Sequence, residues 1–325
     1  MTDEAGGDAF DPAIVIEVAG SYLLGETPSL TRREVAERAE VPLEWATRLW
    51  RSLGFAEVGD DRAAFTAADV DALRAVRELF EQDVFDLESL PGLTRAMGSS
   101  FARLADWQSR MFLGVGSGEP APLEALTEVI PLVEKVQSYI WRRHLVDATS
   151  RALLQASTDP LATPLAVGFV DIVGYTSRSR QLSTSELATM IETFEQTTSG
   201  IVVEAGGQVV KTIGDEVLYT IADPVASAEV ALNLVEQCDR DPAYPQVRVG
   251  SAYGTVLARL GDVFGPVVNI AARLTSIARP GRVLVDAELA RLLEETDFRL
   301  RRAPRASVKG YDHLEPWSLR RPKKR

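Results

Sequence analysis

Two carboxylates stand where a metal-dependent reaction on phosphate could use them. Asp171 closes the apolar run Leu165–Val170 and precedes a Gly-containing turn with hydroxyls at Thr176 and Ser177. Asp215 follows Gly214 inside Val209-Val-Lys-Thr-Ile-Gly-Asp-Glu-Val-Leu-Tyr219, a stretch with the pattern of a hairpin. Magnesium prefers hard oxygen ligands and takes one or two carboxylates plus substrate phosphates. Two strand-end carboxylates on adjacent strands of one sheet could bridge two such ions, as in two-metal phosphoryl or nucleotidyl transfer. A helix start beyond Asp171 would add free N–H groups and a dipole suited to phosphate. Each residue also has a plain explanation by itself, since buried strands often end in Asp and Gly-Asp is a common hairpin corner. A third group lies in Gly261-Asp-Val-Phe-Gly-Pro-Val-Val-Asn-Ile-Ala-Ala-Arg-Leu274. There Asn269 and Arg273 stand four apart, on one helix face. A guanidinium can chelate phosphate and an amide can hold a sugar oxygen. Ile270, Ala271, Ala272 and Leu274 make the rest of this helix apolar, so its two polar residues need a reason.

These residues require a sheet to hold them. The pattern predicts a strand at 165–171, a helix at 183–204, a hairpin at 207–221 and a helix at 224–239. It then predicts a strand at 246–254, a helix at 267–278, a strand at 282–285, a helix at 286–294 and strands near 297–301 and 315–320. A β-α-β-β-α-β order is the ferredoxin-like arrangement, with helices on one face of a mostly antiparallel sheet. The half before it is different. From Ala13 to about Asp147 the pattern is helical, and Ala156-Ser-Thr-Asp-Pro-Leu-Ala-Thr-Pro164 has no helical period. The expected organisation is a helical domain at 1–155, a linker at 156–164 and an α+β domain at 165–325, which would leave the first to regulate and the second to carry the chemistry if the three polar groups form a site.

Three blocks carry a resemblance. Phe169-Val-Asp-Ile-Val-Gly-Tyr-Thr176, Lys211-Thr-Ile-Gly-Asp-Glu216 and Asp262-Val-Phe-Gly-Pro-Val-Val-Asn-Ile-Ala-Ala-Arg273 resemble the signature blocks of class III nucleotidyl cyclases, over about residues 163–320. The resemblance implies two divalent ions per site, Mg²⁺ or Mn²⁺, on Asp171, Asp215 and the backbone carbonyl of Ile172. It implies that Lys211 and Asp262 read the purine, and that Asn269 and Arg273 orient the ribose and stabilise the transition state. Lys309, in Val308-Lys-Gly-Tyr311, corresponds to a triphosphate contact. Adenine presents N1 as acceptor and its amino group as donor, which a Lys donor and an Asp acceptor complement. Guanine reverses that edge, and an unpaired buried polar group costs about 1–3 kcal/mol, so the expected substrate is ATP. Family members build composite sites between two subunits, and this chain carries both residue sets, which implies a head-to-tail homodimer. No histidine base is required.

In the helical half, Thr31 with Glu34 forms a capping-box pattern and the stretch to Gly54 resembles a helix-turn-helix near 30–55. Trp45, Leu49, Trp50 and Leu53 repeat at helical spacing, which fits a packing stripe as well as a recognition helix. A DNA-binding regulator with a nucleotide-sensing domain is therefore the rival reading. A net charge of -12 weighs against it, and no nucleic acid is expected. A helical half before a soluble cyclase resembles the autoinhibited, pH-responsive actinobacterial cyclases, with an apolar ligand such as a fatty acid as a further implication. His144, beside Arg142 and Arg143, is the residue expected to carry pH sensing. Neither a signal-peptide pattern nor an uncharged apolar segment of bilayer length is found, and the expected location is cytoplasmic. The single cysteine, Cys238, falls in an apolar helical pattern and reads as a buried structural thiol.

Overall fold

The computed structural model describes residues 20–82, 90–112, 123–154, 162–304, 306–308 and 311–322. The chain divides into two compact units, Met1–Gln137 and Ser138–Arg325. The division falls within the long helix Leu123–Leu154.

In the first unit the helices Arg32–Arg38 and Leu43–Leu53 form the expected pair. Thr31 and Glu34 exchange backbone and side-chain hydrogen bonds, which satisfies orphan N–H groups at the helix start. Gly54 ends the second helix at φ 83°, a left-handed cap that a side chain would strain. Leu49 and Trp50 are buried and Leu53 is packed against them, with Trp50 stacked on Phe65 at 4.8 Å between centroids. Trp45 meets Phe80 edge-on at 5.7 Å. The aromatic stripe is core. Helices Ala67–Glu81 and Leu90–Phe112 follow, and Gly98 of the latter lies so close to Leu53 that a Cβ would sit 2.3 Å from its carbonyl oxygen.

The second unit is built on one sheet. Its strands are β1 (Ala162–Ile172), β2 (Gln208–Ile213), β3 (Glu216–Ile221), β4 (Val247–Arg259), β5 (Asp262–Phe264), β6 (Val283–Val285), β7 (Arg299–Arg302) and β10 (Trp317–Arg320). They run in the order β2-β3-β1-β4-β6-β10-β7, with β5 added beside β4. Among the described residues only β4 and β6 pair in parallel. β8 (Ala306–Val308) and β9 (Tyr311–Leu314) make a separate two-stranded sheet that the sequence pattern does not reveal. β1 starts at Ala162, earlier than the expected 165, so Pro164 lies within a strand. Pro164 pairs only with Thr255 of β4, because β3 first joins at Ala166, and a missing N–H is tolerated on such an open side.

β1 is buried on both faces, which is why it reads as a continuous apolar run. Val170 and Ile172 face a core shared with Phe194 and Val202 of helix Thr184–Glu204 and with Ala228–Leu234 of helix Pro224–Arg240. Val167 and Phe169 face a second core, made with Ala271 and Leu274 of helix Pro266–Ile277. Helices therefore cover both faces, where the ferredoxin-like expectation put them on one. Gly250 of β4 permits this. A Cβ there would sit 2.2 Å from the backbone nitrogen of Thr275, so the helix can seat against β4 only over bare backbone. Cys238 packs against the first core but is half-buried, and burial is the largest cause raising its thiol pKa. Among the described residues no helix is long and apolar enough to cross a membrane.

Candidate active site

β1 delivers Asp171 to the end of the sheet, in register with Glu216 of β3 and Arg248 of β4. Its carboxylate is 7% exposed. Gly214, at φ 64°, makes the β2–β3 corner that brings Asp215 beside it. The Ile172 N–H donates to the Asp215 carbonyl at 3.1 Å, so the two predicted carboxylate positions are joined by backbone. Burial pushes the Asp171 carboxyl above the usual range against the opposing pull of Arg248, and the charge of Asp215 adds to the rise. Glu216 is raised too, by burial first and then by Asp171 and Asp215. Three acidic groups at one strand end make a place where a cation is favourable.

Sequence reasoning missed Arg248. Its Nε donates to Asp171 Oδ2 at 2.6 Å, and Nη2 lies 2.5 Å from the same oxygen. Its Nη1 donates to the Ser276 carbonyl at 3.0 Å, at the end of helix Pro266–Ile277. The available signal was a lone arginine opening the otherwise apolar strand Val247-Arg-Val-Gly-Ser-Ala252.

The turn after Asp171 does open a helix, a short one. The helix it opens, Tyr175–Arg178, is a single turn, and the Ser177 hydroxyl donates to the Gly174 carbonyl at 2.8 Å. Among the described residues no three histidine, cysteine or carboxylate groups converge closely enough to hold a metal by themselves.

Lys211 and Asp262 meet directly. The Lys211 ammonium lies 2.5 Å from Asp262 Oδ2, across the 51 residues that separate them in sequence. A β-bulge between Val209 and Lys211 shifts the register of β2, and β5 supplies Asp262 from its hairpin with β4. The result is a donor and an acceptor side by side, 43% and 28% exposed.

Asn269 and Arg273 lie on helix Pro266–Ile277, which starts at Gly265 (φ 136°) with Pro266 in its first turn. Thr275 fastens the helix: its hydroxyl lies within 3.3 Å of the Phe169 carbonyl and 2.9 Å of the Ala271 carbonyl. Asn269 is exposed and Arg273 half-buried. Among the described residues no hydrogen bond or ion pair joins either one to Asp171 or Asp215. Lys309 lies outside the described residues. His144 is exposed on helix Leu123–Leu154.

Residues 160–321 match the family of the adenylate and guanylate cyclase catalytic domain. An adenylate cyclase of Glutamicibacter nicotianae is 37% identical over 322 residues, spanning 91% of this chain and 80% of that protein. An adenylate cyclase of Streptomyces coelicolor is 40% identical over 306 residues, spanning 90% of this chain and 80% of that one. The crystal structure of the adenylyl cyclase CyaB from P. aeruginosa aligns with 50% of this chain and 96% of that chain, at 22% identity and a TM-score of 0.45.

Proposed function

The chain belongs to the adenylate and guanylate cyclase family, and from that premise we propose that it converts ATP to 3′,5′-cyclic AMP and pyrophosphate. The observation that carries the substrate choice is the Lys211–Asp262 pair, an ammonium donor and a carboxylate acceptor within 2.5 Å of each other. Turned toward a purine, they complement adenine N1 and the 6-amino group, whereas guanine would face each with a group of the wrong kind.

The acidic strand end fits the metal dependence of this reading. Asp171, Asp215 and the Ile172 carbonyl would hold two divalent ions, Mg²⁺ or Mn²⁺. Bound there, such ions would neutralise the triphosphate and ease deprotonation of the ribose 3′-OH. The protein's own groups do the rest. Asn269 holds the ribose so that its 3′ oxygen lies in line with the α-phosphorus and the leaving pyrophosphate. Arg273 neutralises the charge that grows on the α-phosphoryl oxygens, an interaction that counts most in the transition state. Lys309 contacts the triphosphate.

Two chains are needed in this reading. Asp171 and Asp215 of one subunit face Lys211, Asp262, Asn269 and Arg273 of the other, in a head-to-tail homodimer with two equivalent sites. The helical half regulates this assembly, and His144 is the group whose protonation biases it. It is exposed beside Arg142 and Arg143, so protonation adds a third positive charge to that stretch of helix.

Steady-state assays with Mn²⁺ test the reading. The full chain should form cyclic AMP from ATP in preference to cyclic GMP from GTP, and Asp171→Ala should abolish both. No cyclic AMP from the full-length dimer would refute the activity. A pH–activity profile identical in His144→Ala and the parent chain would remove the pH assignment alone.

A further inference from the structure

An unpaired basic strip crosses one end of the sheet and includes no residue of the reaction scheme. Arg320 of β10 stands directly across from Arg299 of β7, and Ser318 across from Arg301. Leu300 and Leu319 belong to the first core, so strand alternation turns Arg299, Arg301 and Arg320 to the opposite face of the sheet. Arg282 immediately precedes β6, whose Val283 pairs with Leu319, and so lies beside Arg320. All four arginines are exposed. Among the described residues none of the four makes a side-chain hydrogen bond or an ion pair.

Such a row works against the fold, because like charges directly opposite on antiparallel strands are destabilising. Neighbouring arginines are paired instead. Arg321, next in sequence, reaches helix Pro224–Arg240 and binds Glu229 at 2.8 Å, Glu236 at 2.9 Å and Asn233 at 2.8 Å. Arg302, which alternates away from the strip, binds Glu315 at 3.3 Å and lies over the ring of Trp317. A chain of net charge -12 therefore gathers four unpaired cations on one face, and the sequence adds Lys323, Lys324 and Arg325 within five residues of Arg320. The shape of the strip narrows the partner. Neighbouring strands lie about 4.8 Å apart, so these side chains form a plane of positive charge with no helix to enter a nucleic-acid groove. Trp317, the aromatic residue of β10, faces the other way with Arg302 and offers no platform for stacking bases. A planar array of phosphates is the surface that fits.

We propose that the strip formed by Arg282, Arg299, Arg301 and Arg320 docks the protein on a membrane surface rich in anionic lipid. The contact is peripheral and electrostatic: the guanidinium groups bind headgroup phosphates, and nothing enters the hydrocarbon. Each arginine near such a surface contributes about fivefold to partitioning, and salt that shortens the reach of the charges releases the protein. The inference stands apart from the cyclase reading. If the chain also makes cyclic AMP, the product forms beside the membrane.

The test is co-sedimentation of the full-length protein, without nucleotide, with vesicles of pure phosphatidylcholine or of phosphatidylcholine mixed with phosphatidylglycerol. The protein should bind the mixed vesicles at about 0.1 M salt, release them at about 0.5 M, and ignore the neutral ones. Arg299→Gln/Arg301→Gln should weaken binding at least about tenfold. Arg110→Gln/Arg291→Gln removes the same charge from two exposed, ion-paired arginines elsewhere and should leave binding within about twofold of the parent. No binding to the mixed vesicles, equal binding to both kinds, unchanged binding by Arg299→Gln/Arg301→Gln, or an equal loss in the two double variants each overturns the proposal. Relief of the cross-strand repulsion should leave Arg299→Gln/Arg301→Gln melting no lower than the parent. Should it fail to fold, Arg320→Gln alone must weaken binding about fivefold, and no change overturns the proposal equally. Duplex DNA at the same phosphate concentration is the competitor: if it strips the parent from the vesicles and itself binds through Arg299 and Arg301, the partner is nucleic acid and the proposal fails.

Discussion

Gly250→Ala should separate activity from stability in a way that the sheet geometry predicts. A Cβ at this position would lie 2.2 Å from Thr275 N, 2.5 Å from Thr275 Oγ1 and 2.6 Å from the Ala271 carbonyl oxygen. Two of these are helix backbone, so no side-chain rotation relieves the clash. To restore an ordinary contact of 3.4 Å the helix Pro266–Ile277 must retreat by about 1.2 Å. Overpacking of this kind costs about 1–3 kcal/mol of stability. The larger effect falls on catalysis, because the same helix carries Asn269 and Arg273. Misplacement by about 1 Å at a reacting centre can cost about 100-fold in rate, or roughly 2.7 kcal/mol of barrier. If Arg273 has the proposed role in the transition state, the loss should appear in kcat, with a smaller change in KM. Steady-state cyclic AMP formation and urea denaturation on the same preparation measure both. Gly200→Ala is the control: it lies inside helix Thr184–Glu204, the added methyl would meet nothing within 4 Å, and the change should stabilise by about 0.5–1 kcal/mol. A Gly250→Ala enzyme that keeps kcat within threefold of the parent would refute the claim that this close approach seats a helix carrying Asn269 and Arg273 for the reaction.

Three further substitutions follow from the same geometry. Lys211→Met removes the donor paired with Asp262 and should shrink the ATP-over-GTP ratio of kcat/KM by about 5–150-fold, the equivalent of 1–3 kcal/mol for one mismatched group; an unchanged ratio would remove Lys211 from purine recognition. Gly168→Ala would place a Cβ 2.2 Å from the ring of fully buried Tyr219 and should cost about 1–3 kcal/mol in urea denaturation; no loss would mean that the ring can yield. Asp286 caps helix Ala287–Leu292 and also accepts from the Tyr253 N–H, and burial raises its carboxyl to about 6 from a reference of 3.8. A raised pKa means the native state holds the proton more tightly, so this contribution is complete below 3.8 and is lost as pH rises through about 6. Asp286→Asn keeps the cap acceptor without the charge, and its stability relative to the parent should improve by about 1 kcal/mol between pH 5 and 7.5; a pH-independent difference contradicts the assignment.

What the sequence disclosed was whatever depends on local pattern. Asp171 and Asp215 were legible because an apolar run ending in Asp and a Gly-Asp corner each mark a strand end within a few residues. Asn269 and Arg273 were legible because spacing alone puts them on one helix face. Arg248 was not, because its meaning lies in the β1–β4 register, which joins it to a residue 77 positions away. The face chosen by helix Pro266–Ile277 was hidden for a related reason. Its apolar period says that it packs, and only the bare backbone of Gly250 says where. Short strands such as β5 and the β8–β9 pair carry too few residues for a period to emerge.

These two hidden features belong to one strand. Arg248 and Gly250 are two apart on β4, so they share a face, the one on which Ala252 meets the helix-bearing core. One of them neutralises Asp171 while the other seats the helix that carries Arg273, and Arg248 reaches that helix as well through Ser276. In a composite dimer Asp171 and Arg273 of one chain serve different sites. β4 would then tie the metal half of one site to the transition-state half of the other within a single subunit. Sites tied in this way should not respond independently to substitutions on this face of β4. Mixed dimers carrying Gly250→Ala in one subunit and Asp171→Asn in its partner are the sensitive test. The site that pairs the intact Asp171 with the intact Arg273 helix has both halves unmutated. Retention of about half the parent activity would show independence, and a loss well beyond half would show coupling through β4.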